Sequence, residues 1–463
     1  MDRIIERVHK QKKIEQYQDM IGRLYPELVK KNTPDSVGED PVELQNLTGK
    51  DRTLSRTVTF QVTDACNLCC TYCYQINKGV RRMSFETAKK FVDLLISGEK
   101  GFKDYVDPSF SPAIILEFIG GEPFLEVELI DKICDYFFDR VIEIQHPWAT
   151  KFCISICSNG VLYRDPKVQK FLNKWKNAVS FSVTVDGDKD LHDSCRIFPD
   201  GKGSYDLAYD AAMDWMARGY YMGSKITIAP GNLPHLSEAI KHFIGMGYEE
   251  INANCVYEEG WNTEHATEFY YQLKSISDYM IDNNLVDKIY LALFMENFFK
   301  PKDENDLQNW CGGTGAMLSC DPDGKLYPCI RYMESSLGTD QKPLSIGDLE
   351  VGLGVAECDK NCIACLNKID RRSQSTDECF NCPIGEGCSW CSAYNYQVFG
   401  TPDKRATFIC IMHKARALAN VYFWNKWYKK TGRNEVFVMH CPKEWALEII
   451  PEEEYSMLVE LAK

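Results

Sequence analysis

Residues 66 to 73 read CNLCCTYC, four cysteines in eight positions. Cys66, Cys70 and Cys73 keep a CxxxCxxC rhythm, and Cys69 falls outside it. Thiolates so close on one loop are ligands by chemistry, because a soft, deprotonated sulfur takes iron or zinc. A cubic [4Fe–4S] cluster has four irons, each normally held by a thiolate. A loop that offers three therefore leaves one iron open to an outside ligand. Zinc is the competing occupant, and it would need a fourth ligand from elsewhere in the chain. A second cysteine field runs from Cys311 to Cys410. On spacing alone, Cys379, Cys382, Cys388 and Cys391 read as readily as a pair of zinc knuckles.

The chain around these fields has 463 residues and 21 cysteines, with 53 Lys and Arg against 67 Asp and Glu, a net charge of −14. That balance argues against a nucleic-acid partner, since phosphate binding needs a concentrated positive surface. The N-terminus, MDRIIERVHKQKKIEQYQ, lacks the apolar centre of an export signal, and no apolar run is as long as a bilayer span. The expectation is a soluble, cytoplasmic protein. In a reducing compartment, bunched cysteines read as ligands and not as disulfides. The isolated Cys134, Cys153, Cys157, Cys195 and Cys255 lie in apolar segments and are expected in the core.

Positioning these loops requires a scaffold, and one is legible. The runs TVTFQV, AIILEFI, KFCISIC, VSFSVTV, KITIA and EINANCV are short and β-rich. Helical patterns such as SFETAKKFVDLLIS and VELIDKICDYFFDRVIE separate them. Six such units predict an α/β fold with parallel strands and right-handed crossovers, a partial (β/α)6 barrel. Chemistry in such a fold sits beyond the C-terminal strand ends, and the CxxxCxxC loop directly follows the first strand. Residues 1–54 read as a helical N-terminal extension and 55–305 as the barrel. An irregular, cysteine-rich C-terminal cluster-binding domain follows over 306–415, with LSCDPDGKLYPC as a hairpin, and a helical tail over 416–463. The 358–365 stretch repeats CxxxCxxC.

FIGGEP, Phe118 to Pro123, closes the second strand with two glycines where bare backbone approaches a ligand. With the cysteine loop beside it, this stretch resembles the radical S-adenosylmethionine (SAM) enzymes, in which an aromatic residue, here Tyr72, precedes the last cysteine. The resemblance implies a [4Fe–4S] cluster on Cys66, Cys70 and Cys73, with the methionyl amine and carboxylate of SAM on the open iron. It implies that the Gly120, Gly121, Glu122, Pro123 stretch contacts the amine. It also implies ribose- and carboxylate-contacting segments around Asn159 and from Ser182 to Arg196, with Ser182, Asp186 and Arg196 as carried-over residues. The activity it implies is reductive formation of a 5′-deoxyadenosyl radical that abstracts hydrogen from a substrate.

The second field resembles a SPASM domain, a module carrying auxiliary iron–sulfur clusters. By that analogy Cys379, Cys382, Cys388 and Cys410 hold one auxiliary [4Fe–4S] cluster, and Cys311, Cys329 and Cys391 contribute to another. Cys388 and Cys391 are separated by two residues where the pattern has three. The fourth ligand stays open between Cys320, Cys358, Cys362, Cys365 and an open iron. Enzymes with this module typically modify peptides or proteins, and CGGTGAML with PDGKLYPCIRYM, and CSWCSAYNYQVFGTPDKR later, looks most like maturases of small cysteine-rich peptides. The reading is intramolecular thioether formation on a cysteine-containing precursor peptide, with an electron donor such as a flavodoxin or ferredoxin. No residue is singled out as catalytic acid or base. The rival within the class is formylglycine formation by an anaerobic sulfatase-maturing enzyme. That rival usually places a carboxylate after the cysteine equivalent to Cys329, where this chain has Ile330. A non-catalytic iron–sulfur or zinc scaffold, or an electron carrier, is the rival of another class.

Overall fold

The computed structural model describes residues 55–257, 260–309, 311–338 and 341–463. The helical extension expected over 1–54 lies outside the described residues. All six β-rich runs form strands: β1 (Ser55–Thr63), β2 (Ala113–Gly120), β3 (Phe152–Ser158), β4 (Val179–Val183), β5 (Lys225–Ile228) and β6 (Glu250–Cys255). Between them run α1 (Phe85–Ser97), α2 (Val127–Glu143), α3 (Pro166–Trp175), α4 (Lys189–Cys195), α5 (Tyr205–Ala217) and α6 (Leu236–Met246). Local chemistry sets the boundaries. The Ser84 side chain accepts from the Thr87 amide to start α1, and Gly98 ends it in the left-handed conformation. Asp165 caps α3 with Pro166 in its first turn.

Strands β1 to β4 pair in parallel order, as helix crossovers require. The β4–β5 junction is a single isolated bridge, Ser182 to Gly223. Beyond it, β5, β6 and the two-residue β7 (Tyr290–Leu291) form a separate three-stranded sheet. On the other edge, β8 (Met317–Cys320) pairs in parallel with β1 and turns at Gly324, φ +86°, into β9 (Lys325–Tyr327). Two short strands, β10 (Gly347–Asp348) and β11 (Gly352–Leu353), complete that edge. The C-terminal hairpin thus extends the sheet that carries the cysteine loop.

One face of β1–β4 is apolar and covered. Val58, Phe60, Leu116, Phe118, Ile154, Ile156, Phe181 and Val183 are buried in the main core. The Phe60 ring lies 4.8 Å from that of Phe91 on α1 and 5.2 Å from that of Phe118. Truncating a buried phenylalanine of this kind costs about 3–5 kcal/mol. The opposite face is polar, because strand residues alternate with a period of two. Register places Thr59, Glu117 and Ser155 side by side there, and Cys157 opposite Ser182. Cys157, expected in the core, is exposed on this face, since its parity is that of Ser155 and not of Ile156.

Three further helices matter for the sites. α7 (Thr263–Asp282), which the sequence reading did not anticipate, packs along α9 (Cys410–Thr431). α8 (Glu357–Asn367) carries the second CxxxCxxC. No described helix is long and apolar enough to cross a membrane.

Candidate functional site

The loop after β1 is fixed from three sides. The Cys69 amide donates to the Ile197 carbonyl at 2.7 Å, and the Thr71 amide to that of Cys195 at 2.9 Å. At the end of β2 the Glu122 amide donates to the Ala65 carbonyl at 2.9 Å. The approach leaves no space for a side chain: a Cβ on Gly121 would stand 2.3 Å from the Ala65 oxygen and 2.7 Å from Cys66 Cβ. The paired glycines therefore let the second strand end press against the cysteine loop itself. Cys66, Cys70 and Cys73 are half-buried, and Cys69 faces solvent. Burial pushes the Cys66 and Cys70 thiols up; Leu68 N–H and Lys78 oppose it at Cys66, and Arg196 and Lys78 at Cys70.

Glu122 is turned inward. Its carboxylate accepts from Ser158 Oγ and from the Asn159 amide, both at 2.8 Å, and from the Phe124 amide at 3.1 Å. Burial raises its pKa against those three donors. Pro123 opens the turn that follows. Asn159 Nδ2 donates to Asn67 Oδ1 at 2.6 Å, tying the end of β3 to the cysteine loop. Ser182 stands on the polar face of β4 opposite Cys157.

Tyr72, Asp186 and Arg196 converge beneath the loop. Tyr72 Oη donates to Asp186, Arg196 Nη1 donates to Tyr72 Oη at 2.8 Å, and the Asp186 and Arg196 charges stand 3.9 Å apart. Asp186 is 1% exposed and Arg196 8%. Burial raises the Asp186 carboxyl, while Arg196 and Tyr72 pull it down. Burial opposes the charge on Arg196, but Tyr72, Asp186 and Cys70 outweigh it. His192 supports this loop from behind: its Nδ1 accepts from the Asp186 amide at 3.4 Å and its Nε2 bonds to Ser204 Oγ at 3.0 Å. Burial lowers its pKa to about 3, so it is neutral. Two buried polar atoms remain without partners, Asp186 Oδ1 and Arg196 Nε. A buried acceptor and a buried donor left unpaired beside three thiols fit a polar ligand that brings both kinds of partner. The donor set therefore suits a cluster on Cys66, Cys70 and Cys73 with SAM beside it.

Next to Cys73, Tyr74 faces the polar side of the sheet. Its hydroxyl, kept protonated chiefly by burial, feels Cys73, Glu117, Arg331 and Cys157. The Arg331 guanidinium lies 5.5 Å from the Tyr74 ring centre. Glu117 accepts from Thr59 Oγ1 at 2.6 Å, and burial raises its pKa. The sequence reading singled out none of these three residues. Strand parity could have found Glu117, whereas the Tyr74–Arg331 contact leaves no local signal.

Arg331 belongs to the second field. Cys329, Cys311 and Cys391 sit within one another's electrostatic reach, and burial pushes Cys391 up to about 11. Cys311 Sγ and Ser392 Oγ are 3.1 Å apart, and the Tyr394 amide donates to Cys391 Sγ at 3.4 Å. Of the candidates for a fourth ligand, Cys320 is buried in β8 opposite Phe60. Cys358, Cys362 and Cys365 share one face of α8, with Cys358 and Cys365 exposed and Cys362 half-buried.

Cys379, Cys382, Cys388 and Cys410 line a cavity of about 340 Å³. Arg405 Nη2 donates to Cys388 Sγ at 2.9 Å. Burial pushes Cys410 up to about 12, and the neighbouring Cys388 and Cys379 add to it. Four thiols around one half-open cavity suit a fully ligated cluster.

No protein-family model matches the chain. Over 355 residues it is 22% identical to the radical SAM cyclopropyl synthase TigE of Paramaledivibacter caminithermalis, covering 72% of this chain and 67% of that protein. The fold is that of anSMEcpe, solved with AdoMet and the Kp18Cys peptide bound: TM-score 0.55, 17% identity, 81% of this chain and 98% of the other. It is also similar to Streptococcus suis SuiB, solved bound to the precursor peptide SuiA: TM-score 0.50, 15% identity, 76% and 75%.

Proposed function

We propose that the chain is a radical SAM enzyme acting on a peptide, as its similarity to TigE and its fold support, and that it matures a cysteine-containing peptide by forming an intramolecular thioether. The observation that carries this reading is the Tyr74–Arg331 contact, because it ties the first cysteine loop to the three-thiol set of Cys311, Cys329 and Cys391. A peptide held at the polar face of the sheet would meet both.

Cys66, Cys70 and Cys73 would hold the first [4Fe–4S] cluster, and Asp186 Oδ1 and Arg196 Nε would orient SAM. When bound, these groups supply a 5′-deoxyadenosyl radical, and the auxiliary clusters an acceptor for one electron. The net change on the peptide is one C–H and one S–H replaced by one C–S bond. One hydrogen atom leaves with deoxyadenosine, and one proton and one electron remain to be taken up. Where Cys311, Cys329 and Cys391 hold a cluster without Cys362 or another fourth cysteine, they leave a soft position for a substrate thiolate, and Arg331 brings positive charge to its edge. SuiB bound to a precursor peptide supports a peptide as the substrate.

The sulfatase-type reading has less support in the local residues. Glu334 and Asp323, the nearby carboxylates that would have to stand in at Ile330, are 69% and 58% exposed and lie near Arg81, at 3.9 and 2.7 Å.

The test is anaerobic reconstitution with SAM, dithionite and a short cysteine-rich peptide. Deoxyadenosine together with a peptide lighter by two hydrogens, and no longer alkylated at one cysteine, supports thioether formation. A peptide carrying a new aldehyde supports the sulfatase-type reaction. Full iron loading without deoxyadenosine overturns both.

A further inference from the structure

We infer that Arg405 is a positioning residue of the four-thiol cavity, setting the reduction potential of the cluster held there so that it serves as the electron-accepting end of the protein. The inference rests on the proposed assignment of an auxiliary cluster to Cys379, Cys382, Cys388 and Cys410.

The guanidinium is committed to the cavity wall. Nη2 donates to Cys388 Sγ at 2.9 Å and to the Cys388 and Ser389 carbonyls, each at 3.3 Å. Its charge also reaches Cys379, Cys382 and Cys410. Other basic side chains lining the cavity are bound elsewhere. Lys302 pairs with Asp306 at 2.9 Å and Lys414 with Glu448 at 3.3 Å. Arg371 donates to the carbonyls of Asp303, Asp306 and Phe380. His413 is buried, held neutral with its pKa lowered to about 4, and bonds to the Ile384 carbonyl at 2.7 Å. Among these groups Arg405 is the cation bonded to a ligand sulfur. Its backbone is held on both flanks: its own amide donates to the Gln374 carbonyl at 3.2 Å, and the Ala406 amide to the buried Asn395 Oδ1 at 2.9 Å.

The physical consequence is directional. A thiolate-ligated cluster gains one negative charge on reduction, and a fixed cation at hydrogen-bond distance from a ligand sulfur stabilises the reduced form more than the oxidised one. Low local dielectric enlarges the difference. Arg405 therefore raises the potential of this cluster, and an electron released at the substrate runs toward it.

The test uses the full chain with Cys66, Cys70 and Cys73 changed to Ala, so that only auxiliary clusters are read. Iron and sulfide are counted, and the reduced-cluster EPR signal is followed against applied potential. Arg405→Gln is expected to keep the iron count and lower the midpoint of one cluster. At fixed potential its reduced-to-oxidised ratio should fall about tenfold, equivalent to 59 mV for one electron. Arg405→Lys, which keeps a cation without the planar fork, should move the same midpoint part of the way. If Arg405→Gln cannot hold iron, the lysine variant decides alone. An unmoved midpoint at full iron content overturns the inference. The cluster assignment fails separately, and the inference with it, if Cys379→Ala with Cys388→Ala leaves iron and EPR unchanged.

Discussion

Three half-buried thiols on the 66–73 loop stand beside an aspartate and an arginine that each keep one buried polar atom unpaired. The four thiols of Cys379 to Cys410 instead line one cavity, with the adjacent arginine bonded to sulfur. The two regions use the same ligand atom for different ends. A site that must exchange a ligand carries the cost of unsatisfied polar atoms until the ligand arrives. A site that only gains and loses electrons can fix its charge by direct bonds, as Arg405 does at Cys388, although Gln374 Oε1 and Trp390 Nε1 in the same lining also lack partners. The three-thiol set at Cys311, Cys329 and Cys391 stands between them: it groups fewer thiols than the second and is tied by Arg331 to the first.

The strongest way to break this comparison is to remove the first set. Changing Cys66, Cys70 and Cys73 to Ala should abolish deoxyadenosine formation while auxiliary iron remains; retained turnover would contradict the assignment. Next is Asp186→Asn, which leaves Arg196 buried with less compensation. Loss of about 3 kcal/mol in denaturant unfolding is expected, along with weaker SAM binding in equilibrium dialysis, at nearly unchanged iron. Equal SAM affinity would show that the unpaired oxygen has no ligand role. Gly121→Ala should cost about 1–3 kcal/mol, since the added methyl must displace Ala65, and should lower iron on the first loop only.

A more gradual effect, modest over any one pH unit, follows acidification. Unfolded His192 takes up a proton as pH falls through 6.5, whereas the folded ring stays neutral down to about 3. Stability should therefore fall with acidification across that window, by up to about 1.4 kcal/mol per pH unit from this residue. His192→Asn should flatten the urea midpoint against pH there; an unchanged slope would remove the assignment. The smallest effect is expected on α8: Cys358→Ser and Cys365→Ser, both at exposed positions, should leave iron content and turnover within error.

Much of the scaffold was legible because its signals are local. The six strands are β-rich runs bounded by helical patterns, and Ser84, Asp165 and Gly98 mark helix ends in the letters themselves. Pairing between distant segments carries no such mark, so the parallel contact of β8 with β1 and the near-break between β4 and β5 appear only in three dimensions. The first site divides the same way. Tyr72, Asp186 and Arg196 were each singled out by resemblance, but their convergence was not visible, because it depends on how the loop after β4 folds back under the loop after β1. Arg405 closes CSWCSAYNYQVFGTPDKR, a stretch that resembles the maturases as a whole, but nothing in it marks the arginine itself.

The pairing of β8 with β1 also bears on how the chain is made. Arg56 on β1 donates to the Gly315 carbonyl across 259 positions. At usual ribosomal speeds that stretch takes roughly ten to fifty seconds to synthesise. Through that interval the strand leading into the cysteine loop has an open edge, the kind of surface that recruits foreign strands. Shielding at β1 until its own distant hairpin arrives to extend the sheet would lower that risk.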